Sequence, residues 1–305
     1  MNQMQTFLTG LGVERLDRLL FRGEPNKWQG GHVYGGHVVA QALEAAGLTV
    51  DAPYRLHAMH SYFLRPGRSD MPILYDVEAM RDGRSFATRR VVAVQDGKSI
   101  FSAAFNYHVP EDGLSHQIDM PDVPPPEDLG DDETYYARIL RHLAAKTGKS
   151  QERPYLPFEM RSVDRMDVEN LTPKDPVCGY WLKLKEPLAA DGALHARLLA
   201  YISDFNFLSA NLRPHGMVPR HPRLKTLASL DHAMWFHAHD ISLNDWVYYK
   251  TEGYWTGDAR GLARGAIYSR AGTLIASTAQ ESLLRLKDPD NTTPEGADQA
   301  QGGPS

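Results

Sequence analysis

The chain has 305 residues, of which 42% are hydrophobic and 23% are charged, and its formal net charge is −5. This composition is typical of a globular protein with one large or two ordinary domains, and it excludes a chain too polar to build a core. A weakly acidic balance gives no electrostatic basis for binding nucleic acid or a membrane surface, so we expect neither as a partner.

Compartment signals favour the cytoplasm. The single cysteine, Cys178, excludes an internal disulfide and favours a reducing environment. The N-terminus, MNQMQTFLTGLGVERLDRLL, lacks a basic segment followed by a continuous apolar core, so we expect no signal peptide. No window reaches the ~20 apolar residues of a membrane span, and the C-terminal letters GGPS are not a peroxisomal address.

Composition divides the chain into four regions. Residues 1–110 and 176–287 alternate apolar segments with short turns, whereas residues 111–175 are rich in Pro, Asp and Glu. We therefore predict an N-terminal domain at 1–110, a linker at 111–175 with one helix near residues 135–145, and a C-terminal domain at 176–287. The polar residues 288–305 are predicted to form a disordered tail.

The two ordered regions look like a distant repeat, because each has one helix followed by a set of strands. In the first, GGHVYGGHVVAQALEAAG is the helix and LHAMHSYFL, PILYDVEAM, SFATRRVVAVQ and KSIFSAAFNYH are the strands. In the second, the helix is HARLLAYISDFNFLSANL and the strands are LKTLASLDHAMWFH, DWVYYKTEGYW, GLARGAIYSR and TLIASTAQESLLR. This order predicts an α+β fold of the double-hotdog kind, in which two antiparallel sheets each wrap around a long buried helix.

The second helix contains an aspartate that its composition does not explain. A helix that is apolar nearly all round is buried, and a buried carboxylate is costly unless it is hydrogen-bonded or paired. Alignment of the two repeats brings Asp204 near His37, Ser229 over Ala58 and Gln280 over Phe105. The second repeat is therefore predicted to bring three polar side chains together at one end of its buried helix.

Such a trio can activate water. A carboxylate accepts a proton from water or orients it, while an amide and a hydroxyl fix the remaining hydrogen bonds, which is general-base hydrolysis without a covalent intermediate. The alternative is a buried polar cluster that only satisfies Asp204. Composition and spacing leave both interpretations open.

At these residues the chain resembles the type II acyl-CoA thioesterases, a double-hotdog family of bacteria and peroxisomes. The resemblance runs over about residues 10–287 and rests on motifs in the same order: FRGEPN, GGHVYGGHVVAQAL, HAMHSYFLRPG, RDGRSFATRRVVAVQDGK, SDFNFL, RPHG, ASLDHAMWFH and GTLIASTAQESLLR. It implies hydrolysis of fatty acyl-CoA to a fatty acid and coenzyme A, with Asp204, Ser229 and Gln280 positioning the attacking water. It also implies no metal or redox cofactor, and a homodimer or homotetramer. Two departures, Ser282 after Gln-Glu and His37 in place of Gln, leave that trio intact.

Other enzyme classes fit less well. A serine hydrolase would need Ser229, Asp231 and His232 to converge, but strand alternation places His232 on the opposite face from the other two, and no Gly-x-Ser-x-Gly elbow is present. An (R)-specific enoyl-CoA hydratase would need Asp-x-Asn-Pro-Leu-His, whereas Asp204 is followed by FNFLS. A non-catalytic acyl-CoA-binding hotdog protein would need the acyl pocket but not the polar trio. The densest basic run, RDGRSFATRR at 81–90, could contact coenzyme A phosphates or form a solvated strand face.

Overall fold

A computed structural model of the protein describes residues 2–26, 31–147, 155–189 and 191–288. Apart from Asp288, the tail predicted to be disordered lies outside these residues.

The N-terminal half consists of a short capping helix, a long buried helix and six strands. The buried helix, α2, packs against five of the strands, and alternation of apolar and polar residues gives the three longest of these one buried face. The elements are α1 (Gln3–Leu11), β1 (Val13–Arg15), β2 (Leu20–Gly23), α2 (Gly35–Gly47), β3 (Arg55–Phe63), β4 (Ile73–Asp82), β5 (Phe86–Gln95) and β6 (Lys98–His108).

The C-terminal half repeats the pattern with an additional helix before it. Every residue of its long buried helix, α4, after the first two is fully or partly buried, as the apolar sequence predicts. The elements are α3 (Asp132–Thr147), β7 (Phe158–Ser162), β8 (Val177–Leu184), α4 (Gly192–Ser203), α5 (Ser209–Leu212), β9 (Leu224–Ser229), β10 (Asp231–Phe236), β11 (Val247–Gly257), β12 (Arg260–Ser269) and β13 (Leu274–Leu286).

All these strands belong to one antiparallel sheet. Among the described residues the order is β1-β2-β4-β5-β6-β3-β10-β13-β12-β11-β8-β7, and β9 also pairs with β13. The two halves join where β3 pairs with β10, in a register that sets Met59 opposite Met234. The sheet therefore wraps continuously around both buried helices, which is the double hotdog that the sequence predicts.

The two buried helices run antiparallel and touch along their length. Tyr34, just before α2, packs edge-on against Tyr201 near the end of α4, with ring centroids 5.0 Å apart. Farther along, Glu44 of α2 forms an ion pair with Arg197 of α4. The close approach requires a glycine, because a Cβ at Gly36 would lie 2.2 Å from the Tyr201 carbonyl oxygen.

Three sequence predictions need correction. The second helix was predicted to run over residues 195–212, but α4 ends at Ser203 and the chain turns before α5 begins at Ser209. The turn passes through Asn206, whose φ of 59° is left-handed and incompatible with a continuing helix. The alignment of His37 with Asp204 is also wrong, since His37 lies in the first turn of α2 and Asp204 follows the last residue of α4. Finally, LKTLASLDHAMWFH forms two strands interrupted at Leu230.

The segment predicted as a linker, 111–175, contains α3, which covers the helix expected near residues 135–145. It also contains β7, which pairs with β8 and extends the edge of the sheet. The segment therefore contributes to the C-terminal half of the fold, and the domain boundaries drawn from the sequence stay a prediction.

The buried imidazole of His37 makes folding dependent on pH. His37 is 3% exposed, and burial lowers its pKa from 6.5 to about 4, a shift that its hydrogen bond to the Glu24 carbonyl oxygen (2.9 Å) only partly opposes. Between these two values the unfolded chain binds a proton that the folded chain excludes. The contribution of His37 to the free energy of unfolding is therefore fully present above pH 6.5 and is lost as the pH falls toward 4.

We predict that His37→Gln flattens this dependence, because Gln can still donate to the Glu24 carbonyl but does not titrate. Denaturant unfolding at pH 7.5 and 4.5 should show that the wild type loses about 2 to 3 kcal/mol more than the variant, at ~1.4 kcal/mol per unit of pKa. The matched control is His116→Gln at an exposed histidine, which should follow the wild type. Parallel curves for His37→Gln and wild type would contradict the assignment.

Candidate active site

Asp204 lies where the second buried helix ends. It caps the C-terminus of α4 and is 8% exposed. A carboxylate at this end of a helix faces the negative pole of the helix dipole, which is unfavourable. The antiparallel packing offsets this, because the positive N-terminus of α2 lies beside the same carboxylate: a Cβ on Gly35 would be 2.7 Å from Asp204 Oδ2.

The structure brings the three predicted site residues together. Ser229 Oγ donates a hydrogen bond to Asp204 Oδ1 (3.0 Å), and Gln280 Nε2 donates to the same Oδ1 (3.1 Å) and to Ser229 Oγ (2.7 Å). Both amide protons of Gln280 are therefore used within the trio. No described residue donates to Asp204 Oδ2, the oxygen beside Gly35.

A β-bulge sets the direction of Ser229. Ser229 is opposite Ser282 and Ala233 is opposite Ala279, so four steps along β9 and β10 face three steps along β13. The extra residue reverses the alternation, and Ser229 and His232 both point inward. The prediction that His232 lies on the opposite face from Ser229 is therefore wrong.

His232 is fully buried beside the trio. Its Nε2 lies 2.8 Å from the hydroxyl of Ser203, the residue just before Asp204, and its ring packs edge-on against Phe207. Burial lowers the pKa of His232 below its usual value, although the Asp204 charge and the Gln280 side chain favour the charged ring. The parity of HAMWF was a usable signal: Met234 and Phe236 are core residues, so His232 shares their face.

Three buried tyrosines satisfy the carbonyl groups at the end of α4. Their hydroxyl groups donate to the carbonyl oxygens of Tyr201 (3.0 Å), Ser203 (2.9 Å) and Phe205 (3.0 Å). These oxygens lie where a helix leaves its last carbonyls without intrahelical partners. Burial raises the tyrosine pKa values well above 10, so the hydroxyls remain protonated donors; the three are Tyr34, Tyr249 and Tyr180.

A cavity of about 800 Å³ opens beside Asp204 and Ser229, and its lining is mostly apolar. Gln280 and His232 do not line it; they lie behind the other two residues. Both halves of the chain and α3 contribute walls. Among the apolar lining residues are Val33, Val38 and Phe63 from the first half, Tyr135, Tyr136, Ile139 and Leu140 from α3, and Met166, Met217 and Val218 from the second half.

The basic run at residues 81–90 does not line this cavity. Arg89 is buried, where it forms an ion pair with Asp82 and hydrogen bonds to Thr49. Arg65 does line the cavity, and among the described residues the only hydrogen bond of its guanidinium is to the Ser99 carbonyl oxygen (2.7 Å). No sequence pattern singled out this arginine, because single basic residues after a strand are common.

Comparison with known proteins agrees with the fold. The family model described as the acyl-CoA thioesterase N-terminal domain matches residues 24–108, and the model of the acyl-CoA thioesterase C-terminal domain matches residues 124–284. Acyl-coenzyme A thioesterase 8 of Mus musculus is 37% identical over 287 residues, which cover 91% of this chain and 88% of the mouse protein.

Two bacterial proteins are similar over nearly their whole length. Acyl-CoA thioesterase 2 of Haemophilus influenzae is 38% identical over 281 residues, covering 91% of this chain and 96% of that protein. The crystal structure of acyl-CoA thioesterase II from Mycobacterium marinum superposes with a TM-score of 0.75 at 34% identity, covering 91% of this chain and 97% of that one. The chain belongs to the type II acyl-CoA thioesterase family.

Proposed function

We propose that the protein hydrolyses fatty acyl-CoA to a free fatty acid and coenzyme A with a water molecule activated by Asp204. The observation that carries the proposal is the trio itself. Two donors hold Asp204 Oδ1, while Oδ2 is left without a protein donor among the described residues, beside the helix N-terminus and the cavity. An oriented carboxylate with one free oxygen can accept a proton from water.

The three residues divide the work. Asp204 and Ser229 line the cavity and contact the water, whereas Gln280 lies behind them and holds both in place. The water oxygen attacks the thioester carbonyl carbon and its proton passes to Asp204. The C–S bond then breaks and the thiolate leaves with the electron pair. The backbone N–H groups of Gly35 and Gly36, at the start of α2, would stabilise the developing oxyanion.

The two rival activities receive less support. Hydration by an enoyl-CoA hydratase needs a histidine that shares the water with the aspartate. His232, beside the trio, is fully buried, hydrogen-bonded to Ser203 and absent from the cavity wall. The exposed His32 does line the cavity, but among the described residues the hydrogen bonds of the Asp204 side chain come from Ser229 and Gln280. A non-catalytic acyl-CoA sensor would have no need of a preorganised carboxylate at the mouth of its pocket. Hydrolysis is therefore the activity that the geometry favours.

The substrate proposal assigns the apolar wall of the cavity to the acyl chain. On α3, the residues Tyr135, Tyr136, Ile139 and Leu140 share one face of the helix and line the cavity. The start of this helix is anchored, because buried Asp132 accepts hydrogen bonds from Ser162 and forms an ion pair with Arg165. We propose that the acyl chain lies against α3 and that the coenzyme A phosphates meet Arg65, whose guanidinium has no carboxylate partner among the described residues.

We also propose a cytoplasmic location and a homo-oligomeric assembly. The single cysteine, Cys178, is a free buried thiol, which supports a reducing compartment such as the cytoplasm, where fatty-acid metabolism would supply the substrate. Family resemblance supports a homodimer or homotetramer. Among the described residues, none of the helices has both the length and the apolar character that a membrane crossing needs.

We predict that Asp204→Asn abolishes most hydrolysis while the protein stays folded, because Asn keeps the hydrogen bonds at Oδ1 but is not a base. Thiol release from acyl-CoAs of C4 to C18 should fall at least ~100-fold in kcat, within the usual range for a general base. The matched control is Asp231→Asn, whose carboxylate only accepts the Glu281 backbone N–H (2.7 Å) and which should stay within about twofold of wild type. Unchanged thiol release by Asp204→Asn would contradict the assignment of Asp204 but not the thioesterase activity. No release by the wild type at any chain length would favour the non-catalytic sensor.

We predict that Leu140→Trp shortens the acyl chains that the enzyme accepts, because a larger side chain on the cavity face of α3 takes the space of several methylene groups. The ratio of kcat/KM for C16 to that for C6 should fall at least ~10-fold, given about 0.8 kcal/mol for each CH₂ that loses its contact. Ala137→Trp, on the exposed side of the same helix, is the control and should leave the ratio unchanged. An equal loss at all chain lengths would contradict the acyl-chain assignment.

A further inference from the structure

His232 is a fully buried histidine with one ring nitrogen that no described residue satisfies. Its Nε2 is paired with Ser203 Oγ, but its Nδ1 is buried without a hydrogen-bond partner. A second buried atom, Gln280 Oε1, is likewise unpaired among the described residues. Buried polar groups are rarely left unpaired, so two in one place call for a common explanation.

The two atoms belong to neighbouring side chains. Ala233 of β10 is opposite Ala279 of β13, so His232 and Gln280 form the next pair across the two strands, on the inward face. The Gln280 side chain is close enough to favour the charged form of the His232 ring. His232 therefore stands next to the amide that holds Asp204 and Ser229.

The protons available on Gln280, Ser203 and His232 limit which atom can donate each hydrogen bond. Gln280 Nε2 has two protons, and both are used on Asp204 Oδ1 and Ser229 Oγ. Its Oε1 must then accept from the opposite side. Ser203 Oγ has one proton and two acceptors within reach, the Ala200 carbonyl oxygen (2.9 Å) and His232 Nε2 (2.8 Å). With the ring proton on Nδ1, Nε2 accepts from Ser203 and Nδ1–H can donate to Gln280 Oε1; with it on Nε2, neither Nδ1 nor Oε1 has a proton to donate to the other.

We propose that His232 is a positioning residue whose Nδ1–H donates to Gln280 Oε1 and so fixes the amide with its nitrogen toward Asp204 and Ser229. A flipped amide would place Oε1 against the carboxylate and remove a donor from both residues. The inference rests on the proposed function, in which Gln280 holds the pair that contacts water. Because Ser203 directly precedes Asp204, the contacts Ser203–His232–Gln280–Asp204 form a closed ring around the helix end.

The first test measures the tautomer and needs no activity. Two-bond ¹H–¹⁵N spectra of histidine-labelled protein at pH 7.5 distinguish the two neutral forms, and the His232→Asn spectrum assigns the signal. We expect the Nδ1–H form in wild type. Gln280→Met, which removes the acceptor, should shift the ring to the Nε2–H form. A wild-type ring with the proton on Nε2 would overturn the proposal and favour a flipped Gln280 that donates to Nδ1.

The second test separates positioning from packing. His232→Leu removes the donor, whereas His232→Asn places an amide N–H close to the position of Nδ1–H. We expect His232→Leu to lower kcat by about 10- to 100-fold, the cost of a misplaced catalytic group, with KM within about threefold of wild type. His232→Asn should recover at least about a third of wild-type kcat. Met234→Leu, buried on the same face of β10 but outside the ring of contacts, is the control and should leave kcat unchanged.

Melting temperatures of all three variants complete the second test. Equal loss of kcat in His232→Leu and His232→Asn, in proportion to their loss of thermal stability, would reduce His232 to a packing residue and overturn the proposal. A wild type that releases no thiol from any acyl-CoA would defeat the proposed function, while the tautomer measurement would still decide the hydrogen bond.

Discussion

The structure depends on a carboxylate that is held at the C-terminal end of a helix, where the helix dipole disfavours a negative charge. Asp204 caps the C-terminus of α4, where backbone carbonyls already point, and only 8% of it is exposed. The surroundings reduce the electrostatic cost of this placement on each side of the carboxylate. Tyrosine hydroxyls satisfy the nearby carbonyls, Ser229 and Gln280 donate to Oδ1, and the N-terminus of α2 meets Oδ2. The same arrangement leaves a carboxylate of fixed orientation next to an apolar cavity.

The arrangement around Asp204 requires both halves of the chain, and among the described residues it is present at only one end of the α2–α4 helix pair. The carboxylate comes from the end of α4, and the opposing helix N-terminus comes from α2, which runs antiparallel to it. At the other end of the pair, α2 is capped by Leu48. The alignment of Gln280 with Phe105 is wrong by two residues, because Phe105 pairs with Met59 as Thr278 pairs with Met234, which places Tyr107 at the position of Gln280. Neither Leu48 nor Tyr107 carries a carboxylate or an amide, so among the described residues the polar trio is assembled at one end of the helix pair.

Much of the fold was predictable from the sequence because strand periodicity and turn residues are local signals. β3, β4, β5, β6, β11, β12 and β13 fall on the predicted segments, and so do the residues of the trio. The errors came from single residues whose backbone departs from the regular pattern. A left-handed Asn206 ends the helix at the site, and one extra residue at Leu230 turns His232 inward. The turn at Asn206 is not visible in apolar periodicity, because tertiary contacts fix it, whereas the inward face of His232 could have been inferred from its parity with Met234 and Phe236.

Burial shifts the pKa values of the tyrosines and of the histidine around Asp204. The tyrosines that donate to the end of α4 are so deeply buried that their pKa values lie well above 10, and burial lowers the pKa of His232 below its usual value. Near neutral pH all of them are uncharged, so each keeps the same hydrogen-bond role. Asp204 is then held by the N-terminus of α2 and by two donors at Oδ1 whose hydrogen bonds do not change near neutral pH. In the proposed hydrolysis, a carboxylate held in this way needs neither a histidine relay nor a metal ion to act on a thioester, whose thiolate is a good leaving group.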